Sequence, residues 1–131
     1  MKIGSKVKLA AAAAAIIATG ALVWPARADD ANDDAIKEIM KTYHKAPKGV
    51  DPVCKKAGDG HATPDELKKL VLAYKKLATT KPPQGDEAGW KEKTTKLFQA
   101  SQDLESGKPG AAEVYKKAVD CKGCHSVYKP K

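Results

Sequence analysis

Beyond residue 28 the large apolar residues recur at intervals of three and four, and proline or glycine cuts each run. That period marks a helix with one buried face, and strand-like alternation is hard to find. Ile36, Ile39, Met40 and Tyr43 stripe a first segment that begins with acidic residues and ends with lysines, as the helix dipole favours. Pro47 and Gly49 are its stop signals. A loop follows, with one short turn expected around Val53 to Lys56. Thr63 then caps a second helix, with Pro64 in its first position and Glu66 three residues after the cap. Its stripe is Leu67, Leu70, Val71, Tyr74 and Leu77, and "TTKPPQGDE" ends it. A third helix is predicted from Glu87 to Glu105, turning Trp90, Thr94, Leu97, Phe98, Ser101 and Leu104 inward, with Gly107 placed as its C-cap. The fourth starts near Ala111, buries Val114, Tyr115, Ala118 and Val119, and runs on into a cysteine motif. Four striped helices with mostly short connections predict an all-α fold, an antiparallel four-helix bundle. Neither an internal repeat nor a second domain is visible.

Residues 1–28 read differently. "MKIGSKVK" is basic, "LAAAAAAIIATGALV" carries no charge, and Ala26 and Ala28 occupy the small positions of an A-x-A cleavage site. This is the layout of a secretory signal peptide. The apolar run falls short of the roughly 20 residues that span a bilayer, which argues against a retained anchor. Cleavage after Ala28 predicts export to the periplasm, a mature domain over 29–131, and no membrane span in it.

Removing Lys2, Lys6, Lys8 and Arg27 takes 24 basic residues to 20 against 16 acidic, so the net charge falls from +8 to +4. No arginine remains. Nucleic-acid binders usually keep arginine for bidentate contacts, and here acids are mixed with the lysines throughout. Nucleic acid is therefore not an expected partner.

A domain of this size buries little surface and often needs a staple. The segment "CKGCH", Cys121 to His125, offers one. A structural zinc site wants four ligands, usually as two pairs, but Cys54 stands alone and His44 and His61 are far apart in sequence. A redox dithiol wants an activating helix N-terminus after a strand; this motif is expected near a helix C-terminus, where the dipole raises a thiol pKa. A disulfide at this spacing inside a helix is strained. Covalent haem fits, because C-x-x-C-H is the attachment signature of c-type haem. Two thioethers would fix the ring edge to Cys121 and Cys124, and the adjacent His125 would reach the iron. One haem c per chain would also give the helix stripes an apolar surface to pack on.

A helical bundle with C-x-x-C-H near its C-terminus resembles the class II c-type cytochromes, cytochrome c-prime and its low-spin, six-coordinate relatives. The residues that carry the likeness are "CKGCHSVYK", Cys121 to Lys129, and "IMK", Ile39 to Lys41. The resemblance implies that Met40, on the first helix, is the second axial ligand beside His125. It also allows a homodimer.

Other readings of the second ligand stay open. Met40 is equally placed as a core gap filler. His44 lies one turn further along the same face. His61 could reach in from the long loop, or the position could be vacant. Methionine or histidine would close the iron to small molecules, and methionine would give the higher potential. Cys54 is expected to be buried and inert, with a disulfide between chains as the alternative. Lys122, Lys129 and Lys131 cluster near the motif, where they could steer an acidic partner. The function expected is one-electron transfer between periplasmic redox partner proteins through a low-spin haem. The alternative is a haem protein with an open distal site that binds nitric oxide or carbon monoxide. No acid–base pair, serine–histidine arrangement or phosphate loop is seen, so an enzyme is not expected.

Overall fold

A computed structural model describes residues 28–131, so all of the expected signal peptide except Ala28 lies outside the described residues. Six α-helices and no strand are found among them: α1 (Ala28–Tyr43), α2 (Val53–Gly58), α3 (Pro64–Leu77), α4 (Glu87–Glu105), α5 (Ala111–Ala118) and α6 (Cys121–Tyr128). The all-helical class expected from the periodicity holds. None of these helices is long and apolar enough to cross a membrane.

The caps follow the sequence closely. Thr63 and Glu66 close a reciprocal capping box on α3: the Glu66 amide donates to Thr63 Oγ1 at 3.2 Å, and the Thr63 amide to Glu66 Oε2 at 2.8 Å. Asp86 caps α4 by accepting from the Gly89 amide. At the far end of α4, Gly107 takes φ +71°. The Lys108 amide reaches Asp103 O and the Gly107 amide reaches Leu104 O, the two bonds of a Schellman stop.

α4 packs most extensively against α3 and α5, while α1 leans on α3, and α2 rests on α3 and α5. The centre holds Leu70, Tyr74, Tyr115 and Ser101, with Ile36, Ile39, Leu77, Trp90, Leu97 and Tyr128 around them. Val114, expected inside, is exposed, because the eight-residue α5 turns Ala111, Tyr115 and, in part, Ala118 to the core. The turn expected around Val53 is a full short helix.

The largest departure concerns the fourth predicted helix, which is two. Val119 (φ −81°, ψ 61°) and Asp120 (φ −87°, ψ 81°) leave helical geometry, and the chain restarts as α6. The Asp120 carboxylate takes the Gly123 amide at 3.0 Å, and its carbonyl takes the Cys124 amide. A residue whose side chain can cap offers the backbone this alternative to continuing the helix. The cysteine motif therefore opens a helix; the expectation that it closes one is wrong.

α6 is held on by the loop between α3 and α4. Gln84 Nε2 donates to Val127 O at 3.1 Å and to Lys129 O at 2.8 Å. Tyr128 is 3% exposed and sets its ring edge-on to Trp90, with centroids 5.2 Å apart. Gly85 and Gly89 make room for that ring: a Cβ on Gly89 would stand 2.5 Å from the Tyr128 hydroxyl.

Candidate functional site

Two adjoining cavities lie between α1 and α6. The larger, of about 490 Å³, is bordered by Ile36 and Met40 of α1, Trp90 of α4, and Cys124, His125 and Tyr128 of α6. The smaller, of about 60 Å³, adds His44, Leu77, Leu97 and Cys121. Met40, Trp90, Cys124 and His125 border both. The larger volume lies within the range of about 300 to 1,000 Å³ typical of sites for small organic groups.

Local structure explains which side chains meet there. In α6, Cys121 is the first helical residue, and the Asp120 cap fixes the turn that carries Cys121, Cys124 and His125. Gly123 between the cysteines has a definite reason, since a Cβ there would overlap the Asp120 carboxylate. In α1, Met40 is half-buried beside the fully packed Ile36 and Ile39. His44 stands just past the helix end, its amide still donating to Met40 O at 3.1 Å. His61 is exposed and borders neither cavity. Of the three distal candidates, two are brought to the motif and one is not.

His44 is tied into the core. Its Nε2 lies 3.1 Å from the Tyr74 hydroxyl, which lies 3.2 Å from the Tyr115 hydroxyl, which donates to Cys54 O at 3.0 Å. Each hydroxyl has one proton. Tyr115 gives its proton to the Cys54 carbonyl, so its oxygen accepts from Tyr74, and Tyr74 in turn accepts from His44. That order leaves no oxygen pair without a proton between them, and it places the His44 proton on Nε2. Burial, with a smaller push from His125, drives the His44 pKa down to about 4, so the ring is neutral at pH 7. Burial likewise raises Tyr74 well above the usual phenol range.

All three cysteines are free thiols. Cys54 is buried, as expected, and burial pushes its pKa up to about 11. Cys124 is raised chiefly by burial, partly offset by Lys93, with Asp120 and Cys121 adding to the rise. The motif does not sit at a helix C-terminus, the position expected to disfavour a redox dithiol, since α6 begins at Cys121. Burial and the Asp120 carboxylate that caps α6 both raise the Cys124 pKa, so Cys124 is not an activated thiolate.

Among the described residues no three His, Cys, Asp or Glu side chains converge as a donor set for a bare metal ion. A haem iron makes a different demand, since the macrocycle supplies four donors and the protein one or two. Two thiols, an imidazole and a thioether on an apolar cavity of this size fit such a group. Comparison of the chain with protein-family models, with curated proteins and with solved structures finds no match.

The mouth of the larger cavity is basic. Lys37, Lys41, Lys45 and Lys129 border it against one acid, Asp33. Other lysines, such as Lys55, Lys69 and Lys96, sit in i,i+4 ion pairs, but none joins these four to a described residue. Sequence reading singled out Lys129 and missed Lys37 and Lys41 on α1 and Lys45 just beyond it, whose closeness to the motif is a tertiary fact. It also missed Asp120 and Gln84, although a carboxylate three residues before a glycine amide was a visible cap signal.

Proposed function

We propose that the protein is a monohaem c-type cytochrome that transfers single electrons between partner proteins in the periplasm after residues 1–28 are removed. The observation that carries this reading is the meeting of Cys124, His125 and Met40 around one apolar cavity, with Cys121 on its smaller annex. When bound, haem would supply reversible one-electron reduction at its iron. The Cys121 and Cys124 sulfurs would bond to its vinyl edge and prevent its loss. The His125 imidazole and the Met40 thioether would hold the metal from two sides. Ile36, Trp90 and Tyr128 would keep water from it, and Trp90 and Tyr128 are both 3% exposed. That apolar surround and a fixed ligand pair would keep the reorganisation on electron transfer small.

The helices that frame this site are, in this reading, an antiparallel four-helix bundle whose fourth member is the broken α5–α6 pair. Its support is the packing of α3 on α4, of α4 on α5 and of α1 on α3, joined largely by short connections. The four lysines at the mouth, none of them in an ion pair with a described residue, supply a docking face for an acidic redox partner. The protein has no substrate of its own in this reading.

Mass spectrometry of the denatured protein, matured in a host able to attach haem, is the primary test. Retained porphyrin mass is expected, and bare polypeptide mass would refute the proposal. The ferric protein should then be low-spin, and the ferrous form should ignore carbon monoxide. Met40→Ala should open the iron to it. A five-coordinate, high-spin iron in the unsubstituted protein would shift the reading to gas binding.

A further inference from the structure

We infer that Tyr74 is a positioning residue that decides whether Met40 of α1 or His44 just beyond it reaches the iron: its hydroxyl engages Nε2 of His44 and leaves the coordination to Met40. This rests on the haem reading above and goes beyond it, since that reading does not say why a histidine one turn from Met40 should not bind instead.

Met40 and His44 border the same small cavity with Cys121, Cys124 and His125. Imidazole is a good ligand for iron, so proximity alone does not exclude it. What separates the two side chains is their prior engagement. The Met40 sulfur has no hydrogen bond to a described residue to give up. The His44 ring already donates from Nε2 to a hydroxyl whose residue is 0% exposed, and it lies 5.7 Å from the Tyr74 ring, centroid to centroid. The remaining nitrogen, Nδ1, is flanked by its own Cβ, which crowds approach to a flat macrocycle. Turning Nε2 to the metal would take from the buried Tyr74 oxygen the donor it accepts from, leaving only its bond to Tyr115, a bias of roughly 10-fold against the histidine. Tyr115 and the Cys54 carbonyl hold Tyr74 in place from behind, so the restraint is built from three elements, α2, α3 and α5.

Tyr74→Phe removes the hydroxyl and little else. The ferric holoprotein is compared with the unsubstituted one by its methionine-sulfur-to-iron absorption band and its reduction potential. In Tyr74→Phe the band should weaken several-fold and the potential fall, because histidine replaces methionine. Adding His44→Ala to that variant should restore both. A band and potential unchanged in Tyr74→Phe would overturn the inference, and so would a loss that His44→Ala fails to reverse. If the unsubstituted holoprotein has haem but no methionine band, the Met40 assignment and this inference both fall. If it has the band, only the inference is at stake. A second measurement needs no variant: nitrogen NMR of the ferrous holoprotein should find the His44 proton on Nε2, and a proton on Nδ1 overturns the inference.

Discussion

The Asp120 carboxylate lies 3.0 Å from the backbone amide of Gly123, and that contact begins the helix on which both motif cysteines and His125 ride. Without it the chain would have a reason to continue α5, which would rotate the motif away from the cavity. Asp120→Ala removes the cap and should cost about 1 kcal/mol of stability. It should also lower the fraction of chains that carry haem, read as the ratio of haem to protein absorbance. Gly123→Ala should reproduce both effects, since the added methyl displaces the same carboxylate.

Gly89 lies inside α4, where alanine normally stabilises a helix by about 0.5 to 1 kcal/mol. Here the sign should reverse. The new Cβ would meet the buried Tyr128 hydroxyl at 2.5 Å and Asp86 Oδ2 at 2.7 Å. Overpacking of this kind costs about 1 to 3 kcal/mol. Denaturant unfolding of Gly89→Ala should therefore give a lower midpoint. A higher one would mean that Tyr128 does not clamp α6.

His44 makes stability depend on pH with a definite sign. Its folded pKa of about 4 lies below the ordinary value of 6.5, so between those limits the unfolded chain binds more protons. Its contribution is complete above pH 6.5 and is lost as pH falls towards 4, by up to about 3 kcal/mol. His44→Gln should flatten that slope relative to the parent in denaturant melts from pH 4 to 7. Equal slopes would mean that the ring is solvated.

The four lysines at the cavity mouth should govern reactions with anions. Oxidation of the reduced holoprotein by a small anionic iron complex should slow as ionic strength rises. In Lys41→Glu/Lys45→Glu it should be roughly 10-fold slower at low salt, with a flatter salt dependence. A neutral oxidant should not distinguish the two proteins, and an equal response to both oxidants would place electron exit elsewhere.

The helix stripes, the Thr63–Glu66 capping box, the Gly107 stop and the C-x-x-C-H spacing were all legible in the sequence. Each is local, decided by residues within about one or two turns, where backbone geometry fixes which side chains are neighbours. The break at Asp120 was local too, yet it was missed, because an aspartate that caps and an aspartate that sits on an exposed helix face look alike until the backbone turns. Tertiary structure alone decided the rest. It brought Lys37, Lys41 and Lys45 to the mouth that Lys129 also borders, and it left His61 outside. It let Gln84, in a stretch read only as a helix break, grip the end of α6 across 43 residues of sequence. It also threaded His44, Tyr74, Tyr115 and the Cys54 carbonyl into one hydrogen-bonded line, whose longest link spans 61 positions. The physical reason is the same for each: periodicity tells which face of a helix is buried but not what it is buried against, and chemistry between distant residues depends on that partner.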